Sequence, residues 1–317
     1  MWRIDMIGIT MGDPNGVGPE IIVKAAADGI LPDSAVVFGN RRILRYAAGF
    51  VDGEIDFPII DVGDFSVADL KPGQVDGKAG HAAVSYVRAA SEAALRGDIT
   101  AIVTLPINKE AVRLTHPDFS GHTEYIADLC GNPPVTMMLA TEKLVVTHVS
   151  THVSIVEAAA RVKKERILEV IRLTDEALKR IRPSARIAVA GLNPHAGENG
   201  AFGQEELLEI IPAIEQAKNE GYTVIGPEPG DTVFFNAVHR DKFDAVVCMY
   251  HDQGHIFIKT LDFDGGVNVT LGLPIIRTSV DHGTAYDIAY KGIARVRSFA
   301  LALKMAQSLS GDHSARA

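Results

Sequence analysis

Short apolar runs recur along this chain, each followed by a polar or glycine-rich loop, and that alternation restricts the fold more than any other feature. Ile4 to Thr10, Ala35 to Phe38, Ile99 to Thr104, Arg186 to Gly191 and Ala245 to Met249 have the length and composition of buried strands. Glu54 to Ile60 reads as a further strand, with a helix at Arg41 to Ala48 before it. Such β/α alternation favours a largely parallel sheet. Val135 to Ala140 and Leu144 to Val149 read instead as paired strands. Helices are expected after Pro19, at the Ala-rich Gly80 to Arg96, at Lys163 to Arg182 with Pro183 as terminator, and at Glu205 to Glu220. Gly226 to Thr232 reads as turns, with Asp231 at a helix N-cap.

At 317 residues the chain exceeds what one core usually serves, since single cores stop growing near roughly 250–300 residues, so two domains are expected. The formal charge is −9 and the basic residues are dispersed, which leaves no footprint for nucleic acid. Cys130 and Cys248 stand alone, which fits a reducing compartment, the cytoplasm, and excludes a thiolate zinc site. Met1 to Thr10 is too short and too charged for a signal peptide, and no apolar run approaches the roughly 20 residues a membrane span needs.

The chemistry gathers where strands end, the place at which open α/β sheets bind ligands. Met11 to Glu20 lacks the G-x-G-x-x-G pattern; it is either a backbone approach to a ligand or a tight strand-to-helix turn. Lys109 is a general acid/base, an anion contact, or a solvated lysine starting a helix. Ser120 to Glu124 opens a helix whose free N–H groups and dipole favour an anion, unless Thr123 is a plain N-cap with His122 exposed. Tyr250 to Asp287 is the densest stretch. His251, Asp252 and His255 there are metal-type ligands, while Lys259, Asn268 and Arg277 suit a phosphate or carboxylate. His152, His195 and His251 each follow an expected strand, so folding can bring three imidazoles around one divalent ion with a position left open. An open metal position polarises a hydroxyl or carbonyl oxygen.

The blocks Gly-Asp-Pro-Asn-Gly-Val-Gly-Pro-Glu at 12–20, Gly-His-Thr-Glu at 121–124, Asn-Pro-His-Ala-Gly-Glu at 193–198, Tyr-His-Asp-Gln-Gly at 250–254 and Gly-Leu-Pro-Ile-Ile-Arg-Thr-Ser-Val-Asp-His-Gly-Thr-Ala at 272–285 resemble the 4-hydroxythreonine-4-phosphate dehydrogenase (PdxA) family. The resemblance spans nearly the whole chain in the same order. It implies an α/β fold like that of isocitrate and isopropylmalate dehydrogenases, with two lobes around a cleft and a homodimer whose active sites use both subunits. The first lobe is expected at 1–130 with 285–317, and the second, with the metal ligands and dimer contacts, at 131–284.

Matched motif by motif, the resemblance makes His152, His195 and His251 the ligands of one divalent metal ion, Zn, Co or Mg. His122, Thr123, Lys259, Asn268 and Arg277 become contacts to a phosphorylated substrate. His282, Gly283, Thr284, Ala285 and Asp287 are similar to the adenosine-binding loop of isopropylmalate dehydrogenases; a carboxylate at Asp287 accepts from ribose hydroxyls and repels a 2′-phosphate, which favours NAD over NADP. An exposed helix residue is the other account of Asp287. The implied reaction oxidises the C3 hydroxyl of a 4-phosphorylated four-carbon acid and then loses CO₂, with Lys109 or Asp231 taking the hydroxyl proton. His255 and Glu198-Asn199-Gly200 resemble the branch acting on 4-phospho-D-threonate and 4-phospho-D-erythronate, in D-threonate catabolism, more than the pyridoxine-biosynthesis enzyme acting on 4-phosphohydroxy-L-threonine. Two alternatives stand beside this reading: a non-catalytic phosphate-ligand-binding dimer of the same fold, and a dihydrodiol dehydrogenase, which the presence of Lys259, Asn268 and Arg277 disfavours.

Overall fold

A computed structural model describes residues 6–182 and 184–311, so Pro183 and the first two residues of the expected Ile4 to Thr10 strand lie outside the described residues. Two compact units form, Met1–Pro134 with Leu273–Ala317, and Val135–Gly272.

The first unit begins with β1 (Ile7–Thr10), α1 (Gly18–Ala27), β2 (Ala35–Gly39), α2 (Arg41–Ala48), β3 (Ile59–Asp61), α3 (Gly77–Leu95), β4 (Ala101–Thr104), α4 (Lys109–Arg113) and α5 (His122–Leu129). Local chemistry explains most boundaries. Asn40 caps α2 by accepting from the N–H groups of Arg42 and Ile43, and Asp76 caps α3 through those of Lys78 and Ala79. Gly80 lets α3 approach α4 closely, since a Cβ there would stand 2.3 Å from the Ala111 carbonyl. The strand expected at Glu54 to Ile60 shrinks to Ile59–Asp61. Pro58 has no N–H to extend the ladder, although its carbonyl still accepts from Val37.

The second unit contains β5 (Thr136–Ala140), β6 (Val145–His148), α6 (Ile155–Ala160), α7 (Lys164–Ile181), β7 (Ile187–Ala190), α8 (Ile211–Asn219), β8 (Val224–Glu228), α9 (Val233–Arg240), β9 (Ala245–Cys248), α10 (His251–Leu261) and β10 (Val267–Leu271). A π-turn over Glu206–Ile210 leads into α8. Residues expected as turns at 226–228 belong instead to β8, an edge strand, where a proline can sit without breaking an inner ladder. Asp231 is not the cap of α9: Thr232 holds the N-cap position and Asp231 is exposed.

The chain completes the first unit with β11 (Ile276–Val280) and α11 (Arg297–Ser310). Sequence placed residues 273–284 in the second lobe, but β11 pairs in parallel with β4, and this pairing fixes them in the first. The first unit's strands run β3-β2-β1-β4-β11, all parallel. The second unit's run β10-β5-β6-β9-β7-β8, antiparallel from β10 to β6 and parallel from β6 to β8. Each unit has its own core. Val36, Phe38, Val87 and Ile102 anchor one, and Leu139, Val146, Val233 and Val246 the other. Parallel pairing puts the ends of β1, β4 and β11 on one edge of the first sheet, and the ends of β6, β7 and β9 on one edge of the second. Among the described residues no helix is long and apolar enough to cross a membrane.

Candidate active site

In the first unit the edge formed by β4 and β11 collects positive charge. Arg277, 3% exposed, donates through Nη2 and Nε to Thr104 Oγ1 at 2.9 and 3.3 Å, and through Nη1 to Thr123 Oγ1 at 3.4 Å. Burial pulls the guanidinium pKa down to about 10, a sign of how strongly the site penalises this cation. Thr123 stands in the first turn of α5, whose N-cap is Gly121 rather than Thr123. A Cβ on Gly121 would lie 3.4 Å from Lys109 Nζ and 2.8 Å from Glu124 Oε2, so a lysine and a carboxylate both reach this helix terminus. Beside them His122 is not exposed: its Nε2 is buried with no hydrogen-bond partner among the described residues. Burial first, then the charges of Arg277 and Lys109, push its pKa well below 6.5, so the ring is neutral. Two cations, an unsatisfied ring nitrogen and the unpaired N–H groups of a helix terminus form a ready site for an anion.

The loop after β11 faces a different partner. His282 Nδ1 lies 2.9 Å from the Gly283 carbonyl, Ala285 adopts a left-handed conformation, and Asp287 is exposed in a short turn at Tyr286–Ile288. Two ties fasten this loop to the one after β1. Val17 N–H donates to the Thr284 carbonyl at 3.0 Å, and Tyr286 donates its hydroxyl to Asp13 Oδ2 at 2.6 Å. A Cβ on Gly16 would stand 3.0 Å from the Thr284 carbonyl oxygen, so the glycine there permits the contact. Burial raises the Asp13 pKa, and the bond from Tyr286 works against that rise. Sequence gave Asp13 and Tyr286 no role, because 273 positions separate the bonded pair.

In the second unit β6 and β9 are parallel neighbours with His148 opposite Cys248, so the residues that follow them emerge together. His152 and His251 accordingly lie with ring centroids 5.5 Å apart and line a 470 Å³ cavity with Thr151, Tyr250 and Asp252. His251 donates from Nδ1 to Asp252 Oδ1 at 2.7 Å, which keeps the Nε2 lone pair available as a ligand. His255, one turn along α10, stacks on His251 with centroids 3.6 Å apart. Below them lies the fully buried His148, whose pKa burial depresses to about 3. Its Nδ1 faces the Met137 carbonyl and its Nε2 faces His255 Nδ1 at 3.2 Å. A Cβ on Gly254 would be 2.7 Å from that Nε2, so glycine is what lets α10 rest on His148.

His195 is placed differently. It follows β7, the next parallel strand, but projects from an exposed turn; its ring meets Phe202 edge-on at 6.1 Å and its Nδ1 lies 3.7 Å from Glu198 Oε2. Among the described residues no group of three or more His, Cys, Asp or Glu side chains is spaced to hold a metal ion. The structure thus brings together two of the three expected ligands. Gln253 connects the loops of β7 and β9, donating from Nε2 to the Gly191 carbonyl and accepting the Met249 N–H, both at 2.7 Å. Lys259, on α10 with its Nζ over the Phe263 ring, and Asn268, on β10 with its Oδ1 buried and without a hydrogen-bond partner among the described residues, also belong to this unit.

Residues 32–306 match the family described as pyridoxal phosphate biosynthetic protein PdxA. The chain belongs to that family. It is 47% identical to 4-hydroxythreonine-4-phosphate dehydrogenase of Desulforapulum autotrophicum, over 95% of this chain and 94% of the relative. It is 46% identical to D-threonate 4-phosphate dehydrogenase of Salmonella typhimurium, over 96% of this chain and 98% of the relative. A solved 4-hydroxythreonine-4-phosphate dehydrogenase from Klebsiella pneumoniae superposes with a TM-score of 0.85 at 42% identity, covering 96% of this chain and 99% of its own. The β-decarboxylating dehydrogenase of Thermococcus kodakarensis, 14% identical with a TM-score of 0.55 over 98% of this chain and 85% of its own, shares the fold. The protein is therefore an oxidoreductase acting on a CH–OH group, with the α/β fold of the β-decarboxylating dehydrogenases.

Proposed function

We propose that this protein is a metal- and NAD-dependent dehydrogenase that oxidises the C3 hydroxyl of a 4-phosphorylated four-carbon acid, with loss of the carboxylate as CO₂, and that it works as a homodimer with shared active sites. One observation carries the substrate class: buried Arg277 and the unsatisfied Nε2 of His122 meet Lys109 at the first turn of α5. A phosphate supplies the acceptors these donors require, and Arg offers paired N–H groups matched to its oxygens. Lys259, through its ammonium, and Asn268, through its side-chain amide N–H groups, are further candidate donors.

The donor chemistry also fits a divalent ion, because neutral imidazoles suit such metals and Asp252 already fixes the tautomer of His251. His152, His195 and His251 would hold it, and its chemistry there is polarisation of the substrate oxygen. NAD supplies the hydride acceptor, with the 282–287 loop as its adenosine seat and Asp287 as the ribose contact. The Asp13–Tyr286 bond steadies that loop. Phosphate binding orients C3 by fixing the far end of a short substrate. Lys109 or Asp231 accepts the hydroxyl proton, and pH–rate profiles of Lys109→Met and Asp231→Asn tell the two apart. His255 and Glu198-Asn199-Gly200 favour 4-phospho-D-threonate or 4-phospho-D-erythronate over 4-phosphohydroxy-L-threonine.

The test is NADH formation with each of those acids, with and without a chelator. Turnover of at least one of them that the chelator abolishes is expected. No turnover of any phosphorylated four-carbon acid by metal-loaded protein would instead favour a phosphate-binding dimer without catalysis.

A further inference from the structure

We infer that Glu206 is a positioning residue for His195: its carboxylate holds in place the turn that presents this imidazole. The inference rests on the reading of His195 as a metal ligand. His195, Ala196, Gly197, Glu198 and Asn199 are consecutively left-handed, with φ between 44° and 79°. Four of these five have side chains, and L-residues visit that region as isolated positions rather than as a run. Such a turn persists only where its surroundings fix it.

Glu206 supplies the fixing contacts. It is 1% exposed, so its carboxylate is out of reach of substrate, and among the described residues every hydrogen bond it receives comes from the entrance to the turn. Oε1 accepts the N–H groups of Leu192 and Asn193 at 2.8 and 2.7 Å, and Oε2 accepts Asn193 Nδ2 at 2.8 Å. The middle of the turn lies against the same group, for a Cβ on Gly197 would stand 2.6 Å from Oε2. Glu205 adds a second acceptor for Asn193 Nδ2 at 2.7 Å. The carboxylate thus sets the direction in which the chain leaves β7, while the His195 side chain stays 66% exposed.

Glu206→Gln tests this with little change in volume. Its one carbonyl oxygen can still accept the two backbone N–H groups, but its amide nitrogen meets Asn193 Nδ2 donor to donor. Calorimetric titration of metal-free protein with Co²⁺ is expected to show affinity weakened by about 10–100-fold, the usual effect of removing a group that orients a ligand. Proteolysis of the metal-free variant within 194–200 is expected to accelerate. In a His195→Ala background the same substitution is expected to cost no further affinity. The inference is overturned if Glu206→Gln binds Co²⁺ like the unmutated protein while His195→Ala is weakened, or if it costs as much with His195 absent. If His195→Ala itself binds Co²⁺ undiminished, the ligand reading fails and the inference with it. Should Glu206→Gln fail to fold, Asn193→Ala removes one of the three bonds to the same carboxylate and is judged by the same outcomes.

Discussion

Arg277→Met is expected to raise stability and weaken substrate binding together. In the folded protein burial holds the guanidinium pKa at about 10, well below its ordinary value. At about 1.4 kcal/mol per unit, that interval is about 3 kcal/mol of unfavourable free energy borne by the native state at neutral pH. The sign follows from proton counting. Between the two values the unfolded chain binds the proton that the folded one releases, so stability is depressed below about pH 10 and recovers as pH rises above it. Methionine fills a similar space without charge, and replacing a buried ionic group by an apolar one is often neutral or stabilising by about 1–4 kcal/mol. For a unit of this size each kcal/mol moves the melting temperature by about 2–4 °C. The opposite effect falls on substrate. Hydrogen bonds to a charged group contribute about 1.5–3 kcal/mol, so the KM for the phosphorylated acid should rise about 10- to 150-fold while the KM for NAD stays within about twofold. Thermal melts and steady-state kinetics on one preparation decide it. A variant that melts lower than the unmutated protein yet keeps its KM for the phosphorylated acid would refute the reasoning.

Three further outcomes are expected. His122→Gln should flatten acid destabilisation: the unfolded imidazole takes a proton below about pH 6.5 where the buried one does not, so the unmutated protein loses up to about 1.4 kcal/mol per pH unit on acidification, measurable by urea unfolding between pH 6.5 and 4.5. Tyr286→Phe removes the bond to Asp13, and at about 1.5 kcal/mol it should raise the KM for NAD about tenfold with the phosphorylated acid unaffected; equal effects on both would contradict the loop's role. Asp287→Ser should raise the NADP-to-NAD ratio of kcat/KM at least about fivefold, since like charges 4 Å apart in water-like surroundings repel by about 1 kcal/mol.

What could be read in the sequence was whatever depends on neighbours along the chain. Apolar runs at 35–38, 99–104 and 245–249 became strands β2, β4 and β9, and the polar loops after them became the edges on which Lys109 and His251 sit. The paired strands at 135–140 and 144–149 formed an antiparallel ladder. Distant partners decided the rest. Nothing local marks residues 195–199 as left-handed, because four of the five are not glycine and their anchor is the Glu206 carboxylate, 13 positions from the Asn193 it holds. The burial of Arg277 depends on Thr104, 173 positions away. Pro227 reads as a turn until its strand is known to be at the sheet edge. His148 had no role in the sequence reading, yet the strand pairing of β6 with β9 sets it beneath His255.

The claim on which the rest stands is that the cationic cluster at the first turn of α5 recognises a phosphate on the substrate. Comparing kcat/KM for 4-phospho-D-threonate and for D-threonate, followed by NADH formation, tests it most directly. The unphosphorylated acid is expected to react at least about a hundredfold more poorly, from the loss of two or more charge-assisted hydrogen bonds. Equal values for the two acids would contradict it.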